Sequence, residues 1–589
     1  MKKLLSGNEA IARGAYEAGV VVATGYPGTP STEILENISR YKDQIYCEWS
    51  PNEKVAFEVA VGACLTGARS VVTMKHVGLN VAADPLMTLS YIGVEGGFVA
   101  CVADDPGMHS SQNEQDTRHF ARFAKIPVFE PADSQEAKDF IQLAIDISEK
   151  YRTPVILRTT TRVSHSRSSV VEGERQESPR AIGFEKNPSR HVPIPVWGRK
   201  MRVEVEERLG LLAQEACQSS ANSIEWKDRS LGIIAAGVAY QYVREAFPDA
   251  SVLKLGWAYP FPDQLLQEFA DGVDSLLVVE ELENFLEEHI KAMGIACDGK
   301  NVVPTIGELS TERLMEVKAR LNGEEPTPLT VAAQADISDL PARPPVLCSG
   351  CPHRGVFYGL TKFDVVVTGD IGCYSLGVFP PLNRTDVILC MGGGISMAHG
   401  IDRAGDPRKV VGIVGDSTFF HSGITGLLDI VYNRGASTII VVDNRTTAMT
   451  GHQDHPGTGR TLMGEATKKV SIEAIGRACG MEHVVRINPY DVENTQAVLK
   501  QAIESDEPWL IISEGPCVLK ERALQGPRLQ VDGEKCIQCG KCLKLGCPAI
   551  EGVEATPHVD LYQCTGCGLC AQVCPVDAFV AAEESGHEK

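Results

Sequence analysis

The sequence predicts an α/β protein with several parallel-sheet domains and a small cysteine-rich domain near its carboxyl end. Its 589 residues indicate roughly four domains at the usual ~100–200 residues each. Short β-branched runs alternate with longer helical patterns, which is typical of βαβ units whose parallel sheets are buried on both faces. Eight of the 19 cysteines lie beyond residue 535, in a stretch too short to build an apolar core of its own.

The composition indicates a globular protein, with 43% hydrophobic and 23% charged residues. A net charge of -21 without a basic cluster argues against nucleic acid and anionic membrane surfaces as partners. Glu9, Arg13 and Glu17 interrupt the start, where a signal peptide would be apolar. No apolar run of about 18 residues follows. We therefore expect a cytoplasmic protein whose cysteines bind metal or serve redox chemistry rather than form disulfides.

Three linker-like stretches without apolar periodicity divide the chain into four segments. These stretches are 164–180, 321–345 and 519–535. The first three segments contain the β-branched runs, and the fourth contains the cysteine-rich tail. The predicted strands are 20–25, 70–74, 97–103, 154–159, 231–237, 251–256, 275–281, 365–370, 387–392, 410–416, 438–444 and 509–515.

Two runs in the tail have the cysteine spacing of two-cluster ferredoxins. Each has three cysteines separated by two residues and a fourth followed by proline. Gly540, Gly566 and Gly568 allow the tight turns through which consecutive sulfurs converge. In this pattern the fourth cysteine of each run serves the other cluster. The predicted ligand sets are Cys536, Cys539, Cys542 and Cys574, and Cys564, Cys567, Cys570 and Cys547.

A pair of structural zinc sites is the alternative for the tail. Zinc closes with four ligands and has no use for a third cysteine at the same interval followed by Cys-Pro. Four residues rather than three precede Cys547 in the first run, which departs from the pattern. The spacing favours two four-iron clusters, with changed surroundings for the cluster that Cys547 joins.

The third segment contains a candidate diphosphate site. A hydrophobic strand ends in Gly415, Asp416 and Ser417, and Asn444 ends a second strand 28 positions after Asp416. Thiamine-diphosphate enzymes hold Mg²⁺ on the cofactor's phosphates in this way. A hard cation prefers oxygen ligands, which the Asp416 carboxylate, the Asn444 amide and the Thr446 carbonyl would supply. An aspartate that caps the following helix is the alternative, and Ser417 stands where the motif usually has glycine.

Together these motifs resemble those of the 2-oxoacid:ferredoxin oxidoreductases, and most closely the large (alpha) subunits of indolepyruvate ferredoxin oxidoreductases. The resemblance covers nearly the whole chain. Besides the two cysteine runs, it is carried by YPGTPSTE (26–33), CSGCPHRG (348–355), GDIGCYSLG (369–377), MGGGISMAHG (391–400), GDSTFFHSG (415–423) and DNRTTAMTGHQDHPGTG (443–459).

The resemblance implies thiamine-diphosphate-binding folds with a ferredoxin-like domain that holds two [4Fe-4S] clusters. The implied activity is oxidative decarboxylation of arylpyruvates (indolepyruvate, phenylpyruvate or hydroxyphenylpyruvate) to aryl-acetyl-CoA, with reduction of ferredoxin. Another 2-oxoacid, a non-oxidative thiamine-diphosphate decarboxylase and an electron-transfer subunit are the alternatives. The implied domains are pyrimidine-binding (1–190), transketolase C-terminal-like (195–340), diphosphate-binding (345–520) and ferredoxin-like (528–589).

The resemblance also implies two catalytic positions. A glutamate of this superfamily contacts N1′ of the thiamine, and Glu53, at the start of a predicted helix, matches it, with Glu48 and Glu58 as nearby rivals. Thr29 matches a position that approaches the substrate. An ordinary first-turn glutamate and a turn threonine between two prolines are the alternatives.

The substrate pocket is expected to differ from that of the pyruvate enzymes. Those enzymes keep an arginine for the substrate carboxylate, whereas the matching stretch here is DDPGMHSSQNEQDTR (104–118). Several histidines in or near predicted loops are candidates to position substrate or relay protons, although a structural histidine explains each equally well. They are His76, His109, His421, His452 and His455.

Four cysteines outside the tail match the ligands of a proximal cluster in small-chain relatives of the family. They are Cys348, Cys351, Cys373 and Cys517. We expect a third [4Fe-4S] cluster there, between the thiamine and the tail. The other cysteines are expected to be buried small hydrophobes, namely Cys47, Cys64, Cys101, Cys217, Cys297, Cys390 and Cys479.

Partners follow from the same resemblance. Complete enzymes of the family contain a γ-type α/β domain, for which none of the four segments remains, so a small beta subunit is expected to supply it. The thiamine of the family lies between pyrimidine and diphosphate domains, which implies a dimer of heterodimers. Ferredoxin, coenzyme A and the 2-oxoacid complete the expected partners.

Overall fold

The computed structural model describes residues 2–177, 183–325, 345–521, 525–552 and 556–582. Parts of all three predicted linkers lie outside the described residues, namely 178–180, 326–344 and 522–524. The chain forms two compact units, Met1–Ile337 and Ser338–Lys589. No described helix is both long enough and apolar enough to cross a membrane.

The first unit contains thirteen of the described strands. They are β1 Lys2–Ser6, β2 Val22–Gly25, β3 Tyr46–Trp49, β4 Ser70–Lys75, β5 Phe98–Asp104, β6 Val128–Phe129, β7 Val155–Thr160, β8 Arg167–Val171, β9 Asn222–Glu225, β10 Asp228–Ala236, β11 Ala250–Leu255, β12 Trp257–Tyr259 and β13 Leu276–Val279.

The helices of this unit follow the strands in alternation. They are α1 Gly7–Glu17, α2 Thr32–Ile38, α3 Glu53–Cys64, α4 His76–Val81, α5 Ala83–Ile92, α6 Thr117–Ala124, α7 Ser134–Tyr151, α8 Thr161–His165, α9 Pro188–His191, α10 Pro195–Gln218, α11 Ala239–Ala246, α12 Asp263–Asp271, α13 Phe285–Ala292 and α14 Thr311–Leu321, with a 3-10 turn at Ser39–Tyr41.

A seven-stranded sheet in the order β12-β6-β7-β5-β4-β2-β3 dominates the first unit. Its strands are parallel except for β12, which pairs antiparallel with β6 at one edge. Every residue of β4, β5 and β7 is buried, as expected for a parallel sheet covered by helices on both faces. A four-stranded sheet, β13-β10-β11-β9, and an antiparallel pair, β1-β8, complete this unit.

The second unit begins with a five-stranded sheet and ends with the tail. Its strands are β14 Val365–Thr368, β15 Lys409–Gly415, β16 Thr438–Asp443, β17 His483–Ile487, β18 Trp509–Glu514, β19 Leu529–Val531, β20 Ile550–Glu551, β21 His558–Val559 and β22 Phe579–Ala581. Its helices are α15 His353–Leu360, α16 Gly393–Ala404, α17 Asp416–Thr418, α18 Ile424–Tyr432, α19 Ile472–Ala478, α20 Val492–Glu504 and α21 Leu569–Val573, with 3-10 turns at Cys373–Val378 and Cys542–Leu545 and a π-helical segment at Phe419–Gly423.

The sheet of this unit is wholly parallel, in the order β14-β15-β16-β18-β17. Two short antiparallel pairs, β19-β22 and β20-β21, hold the tail. The predicted α/β class with parallel sheets is therefore confirmed, and eleven of the twelve predicted strand runs contain a strand.

The prediction of a strand at 387–392 is wrong. Within this run only Val387 pairs, through an isolated bridge to Thr368 at the end of β14. Val387 and Leu389 are 40% and 63% exposed, so the run lies at the surface instead of inside the sheet. A short apolar run is ambiguous without flanking context, because apolar character alone does not bury it.

Candidate functional site

Two neighbouring strands of the second unit bring Asp416 and Asn444 to one edge of the sheet. Gly415 ends β15 and lies opposite Val442 of the parallel strand β16. Asp416 follows the first strand directly, and Asn444 follows the second. The carboxyl ends of parallel strands form the edge at which α/β sheets bind ligands.

The side chains at this edge share a hydrogen-bond donor. The backbone N–H of Thr446 donates to Oδ2 of Asp416 and to Oδ1 of Asn444, with both distances 3.2 Å. Asp416, Asn444 and Thr446 are buried, at 3%, 7% and 2% exposure. The hydroxyl of Ser417, in the position where glycine is usual, accepts a hydrogen bond from Thr447 at 3.0 Å. Two oxygen ligands of the type that Mg²⁺ prefers thus lie side by side.

The buried carboxylate of Asp416 has titratable neighbours as well. Burial alone would raise its pKa, but the contacts with His455, whose Nε2 lies 3.0 Å from Oδ2, with Asp443 and with the Ser417 N–H together lower the pKa below its usual value. His353 is also buried here, and its Nε2 lies 3.4 Å from Nδ2 of Asn444. Buried carboxylate, amide and imidazole groups therefore lie together at this edge of the sheet.

At the corresponding edge of the first unit, Glu53 is the first residue of α3. Asn52 caps the helix by accepting a hydrogen bond from the backbone N–H of Val55 at 2.9 Å. Glu53 is 5% exposed, and its carboxyl group fits against Gly78, where an added Cβ would lie 2.6 Å from Oε1. Glu53 is thus a buried acid that follows β3 at the carboxyl edge of the large sheet.

The two rival glutamates have other surroundings. Glu48 accepts hydrogen bonds from the hydroxyl groups of Tyr46 at 2.8 Å and Ser50 at 2.9 Å. Glu58 is 46% exposed and forms an ion pair with Lys54. Burial at the sheet edge therefore favours Glu53 for the thiamine contact, which stays a prediction.

Lys75 is a residue of this edge that the sequence reasoning missed. It ends β4, is 9% exposed, and its aliphatic stem packs against Gly28, where an added Cβ would lie 3.1 Å from Cδ. Nζ donates to the carbonyl of Ser110 at 3.2 Å. Burial lowers the pKa of Lys75 to about 8, although Asp105 and Glu53 oppose the shift. The available signal was a lysine at the end of an otherwise uncharged strand, SVVTMK.

Ser110, from the stretch 104–118, links this lysine to Thr29. The carbonyl of Thr29, the residue after Gly28, accepts from the hydroxyl of Ser110 at 3.2 Å. Arg118 is the one arginine of the stretch, and it lies in the interior, where Nη1 donates to Glu280 at 2.7 Å and the guanidinium also pairs with Asp116. Arg118 is 1% exposed, so it does not replace the carboxylate-binding arginine of the pyruvate enzymes.

The eight tail cysteines line two separate cavities, four in each. One cavity is lined by Cys547, Cys564, Cys567 and Cys570, together with Arg354. The other is lined by Cys536, Cys539, Cys542 and Cys574. These are the two sets expected when the fourth cysteine of each run crosses over to the other cluster.

The four cysteines outside the tail also influence one another. Burial raises the pKa of Cys373 to about 11, and the nearby Cys517 and Cys348 raise it further. Burial likewise raises the pKa of Cys351 to about 12, with Cys348 and Cys373 contributing. The backbone N–H of Cys517 donates to the carbonyl of Asn444 at 3.1 Å, which joins this set to the Asp416 edge.

In the described part of the chain, no three His, Cys, Asp or Glu side chains are close enough to hold a single metal ion.

Of the five candidate histidines, two lie close to proposed cofactor ligands. His455 contacts Asp416, as described, and Nε2 of His452 lies 3.6 Å from the sulfur of Cys517. His76 contacts the carbonyl of Asn113 at 3.2 Å, His421 contacts the adjacent Ser422, and His109 is half-exposed beside Glu308.

The cysteines outside the three sets were expected to be buried. This expectation holds for Cys47, Cys64 and Cys101, and in part for Cys217, Cys297 and Cys479, which are partly buried. It is wrong for Cys390, which is exposed.

Three family models match the chain. The thiamine diphosphate-binding model of pyruvate flavodoxin/ferredoxin oxidoreductases matches 13–207. The C-terminal TPP-binding domain of thiamine pyrophosphate enzymes matches 370–513, and a 4Fe-4S dicluster domain matches 529–581. Thiamine diphosphate and iron–sulfur clusters are therefore the cofactors that these domains bind.

Two relatives that match almost the whole chain carry the same name, and a third matches about half of it. Indolepyruvate oxidoreductase subunit IorA of Methanothermobacter marburgensis is 43% identical, over 98% of this chain and 96% of that protein. IorA of Pyrococcus horikoshii is 43% identical, over 99% of this chain and 97% of that protein. Ketoisovalerate oxidoreductase subunit VorB of Methanothermobacter thermautotrophicus is 24% identical, over 52% of this chain and 93% of that protein.

The fold, the sheet edges and the tail define an oxidoreductase subunit of the 2-oxoacid:ferredoxin oxidoreductase superfamily. Within that superfamily the chain belongs to the family of indolepyruvate oxidoreductase subunit IorA.

Proposed function

We propose that this chain is the cofactor-bearing subunit of an enzyme that decarboxylates arylpyruvates oxidatively to aryl-acetyl-CoA and reduces ferredoxin. The observation that carries the proposal is the composition of the second unit. It holds both the Asp416–Asn444 pair at the sheet edge and three sets of four cysteines. A decarboxylase that performs no oxidation needs no such cysteines, and a bare electron carrier needs no buried acid–amide pair at a strand edge.

Asp416, Asn444 and the carbonyl of Thr446 hold Mg²⁺ in this proposal. Their support is the shared Thr446 N–H, which keeps the two side-chain oxygens adjacent, and the burial of both side chains at the carboxyl edge of the sheet. Gly415 and Ser417 line the same turn toward the diphosphate. When bound, thiamine diphosphate supplies the carbanion chemistry that decarboxylation requires.

Glu53 is the acid for N1′ of the cofactor's pyrimidine ring, and Thr29 borders the substrate. The support is that Glu53 combines burial with a position at a carboxyl strand edge. Lys75 binds the substrate carboxylate in place of the missing arginine. The support is that its buried ammonium donates to the carbonyl of Ser110, whose hydroxyl contacts the carbonyl of Thr29. A charge-assisted hydrogen bond suits this anion.

Three sets of four cysteines would hold [4Fe-4S] clusters, which would supply one-electron transfer when bound. The two tail sets line a cavity each, and the third set is Cys348, Cys351, Cys373 and Cys517. The position of Cys517 next to Asn444 in the hydrogen-bond network supports a cluster close to the cofactor. The four-domain division predicted from sequence is part of this proposal.

The partner is a small beta subunit with a γ-type domain, and two such pairs form the complete enzyme, which acts with coenzyme A and ferredoxin in the cytoplasm. A ferredoxin oxidoreductase for another 2-oxoacid is the second candidate. The 104–118 stretch offers no arginine of the type that binds the substrate carboxylate in the pyruvate enzymes, but it does not identify which other 2-oxoacid binds.

Anaerobic turnover of the reconstituted complex tests the function. The assay uses coenzyme A, a one-electron dye and a panel of indolepyruvate, phenylpyruvate, hydroxyphenylpyruvate, pyruvate and 2-oxoglutarate. We expect kcat/KM for the arylpyruvates to exceed that for the other two acids by at least about tenfold, which corresponds to 1.4 kcal/mol. A preference for pyruvate or 2-oxoglutarate would reject the arylpyruvate assignment.

A further inference from the structure

A buried arginine lies between two of the cysteine-bearing segments of the second unit. Arg354, the second residue of α15, is 2% exposed. Nη2 donates to the carbonyls of Leu347 at 2.6 Å and Cys348 at 2.9 Å. Nη1 donates to the carbonyls of Leu545 at 2.7 Å and Gly546 at 2.6 Å. The guanidinium therefore joins the segment that contains Cys348 to the residues immediately before Cys547.

This guanidinium has no anionic partner in the described part of the chain. Its four acceptors are neutral carbonyls, no carboxylate forms an ion pair with it, and its buried Nε has no hydrogen-bond partner. A buried cation normally has an opposite charge close by, because removal from water is costly. The arrangement therefore indicates an anion that is not a side chain.

The position of Arg354 identifies that anion. Arg354 lines the same cavity as Cys547, Cys564, Cys567 and Cys570. Gly350 and Thr565, which line the same cavity, pack closely against each other. A Cβ added to Gly350 would lie 2.0 Å from the hydroxyl oxygen of Thr565. Burial raises the pKa of Cys567, and the charge of Arg354 acts in the opposite direction. A four-iron cluster bound by four thiolates carries net negative charge and gains one more on reduction.

We propose that Arg354 is the buried counter-cation of the cluster held by Cys547, Cys564, Cys567 and Cys570, and that its charge raises the reduction potential of this cluster. The inference rests on the iron–sulfur clusters of the proposed function. One electron enters the cluster and no bond or proton changes place. Because the reduced cluster has the larger negative charge, a fixed cation nearby stabilises the reduced form more than the oxidised form.

The same contacts connect the two cysteine-bearing segments directly. Arg354 donates to the carbonyl of Cys348 on one side and to the carbonyls of Leu545 and Gly546, just before Cys547, on the other. It holds the two segments at a fixed separation through four hydrogen bonds. Arg354 is thus a positioning residue for electron transfer and an electrostatic one for the tail cluster.

Redox titration of the anaerobic complex, followed by EPR, tests the proposal. The variants are Arg354→Gln, which removes the charge, and Arg354→Lys, which keeps it. In Arg354→Gln we expect one tail signal to move to lower potential, with the ratio of reduced to oxidised cluster about tenfold smaller at fixed ambient potential, which is 59 mV for one electron. Arg354→Lys should stay near the wild-type value.

The matched control is Lys541→Gln, which removes an exposed charge beside the other tail cavity. Its shift should be much smaller, because water screens an exposed charge. Iron analysis accompanies every variant. Unchanged potentials in an iron-replete Arg354→Gln protein would overturn the proposal.

The reduction potential of Arg354→Lys decides the case in which Arg354→Gln loses its iron. If Arg354→Gln loses iron, a wild-type potential in iron-replete Arg354→Lys supports the role of charge. A tenfold shift in Arg354→Lys, or loss of iron from both variants, would overturn the proposal, because geometry alone would then explain the residue. Absence of clusters from the wild-type complex would instead reject the proposed function.

Discussion

Gly78 leaves the space that the carboxyl group of Glu53 occupies. An added Cβ on Gly78 would lie 2.6 Å from Oε1 of Glu53 and 2.9 Å from its Cδ. Gly78 belongs to α4, which begins directly after β4, and Glu53 begins α3, which follows β3. Two consecutive strand-to-helix connections therefore meet at this carboxylate, and no larger residue than glycine fits at the contact.

Replacement of Glu53 by Gln should leave thiamine diphosphate bound but reduce turnover. An amide keeps the shape of the side chain and cannot exchange a proton with N1′, and loss of a positioned acid or base costs about 10²–10⁴-fold in rate. Steady-state kcat with the best 2-oxoacid measures the effect. Glu58→Gln, at an exposed position of the same helix, is the control and should keep wild-type activity. Near-normal kcat in Glu53→Gln would reject the assignment.

Replacement of Asp416 by Ala should abolish retention of thiamine diphosphate while both tail clusters remain. The loss of one Mg²⁺ ligand is local, and the tail folds around its own iron. A thiamine assay and iron analysis on the same purified sample measure both cofactors. Asp506→Ala, at an exposed loop position of the same unit, should retain both. Wild-type activity in Asp416→Ala would contradict the proposed site.

Lys75 should make substrate binding depend on pH. Its amine has a pKa lowered to about 8 by burial, so it loses its proton, and its attraction for a carboxylate, as pH rises through 8. We expect KM for the 2-oxoacid to increase over this range while kcat changes less. In Lys75→Met, KM should be about 10–100-fold higher at pH 7, from a charged hydrogen bond of about 1.5–3 kcal/mol, and independent of pH near 8.

The exposed Lys54, paired with Glu58, offers the control for this experiment. Lys54→Met should show the wild-type KM and the wild-type pH dependence. A Lys75→Met protein with unchanged KM would show that another group binds the carboxylate.

Iron analysis should separate two clusters from three. A fully reconstituted chain should hold about twelve irons if Cys348, Cys351, Cys373 and Cys517 bind a cluster, against about eight if only the tail does. Cys517→Ser should lower the count by about four, whereas Cys479→Ser, outside all three sets, should not change it. About eight irons in the wild type with no change in Cys517→Ser would reject the proximal cluster and leave the tail clusters standing.

The isolated chain should bind its cofactors and still fail to turn over 2-oxoacids. The resemblance to the family implies that the active enzyme needs a γ-type domain, and a separate small subunit is expected to supply it. Activity measured before and after addition of that subunit, with coenzyme A and a dye, tests the dependence. Full activity of the single chain would contradict it.

The placement of the candidate site residues could be predicted where they follow a strict local spacing, although their roles stay predictions. The position of Asp416 and Asn444 follows from two adjacent parallel strands, whose carboxyl ends necessarily meet at one edge. The two cysteine sets follow from a spacing that short turns enforce. Each of these predictions needed only local geometry and one topological rule.

Long-range contacts could not be predicted in the same way. Arg354 reaches carbonyls almost 200 positions away along the chain, and no periodic pattern marks such a contact. Lys75 looked like the polar end of a strand until the burial of its stem against Gly28 was visible. The apolar run at 387–392 has the composition of a strand, but its neighbours in space leave it at the surface.

The pairing of β12 with β6 has a practical consequence for dissecting this protein. Residues 257–259 cover an edge of the seven-stranded sheet. The buried ring of Trp257 packs against the ring of Phe129, with the two ring centroids 4.8 Å apart. A recombinant fragment that stopped near residue 190 would leave that strand edge unpaired and the Phe129 ring partly uncovered, which invites self-association. Expression trials of the amino-terminal half should therefore keep the first two segments in one polypeptide, and limited proteolysis is expected to release them together.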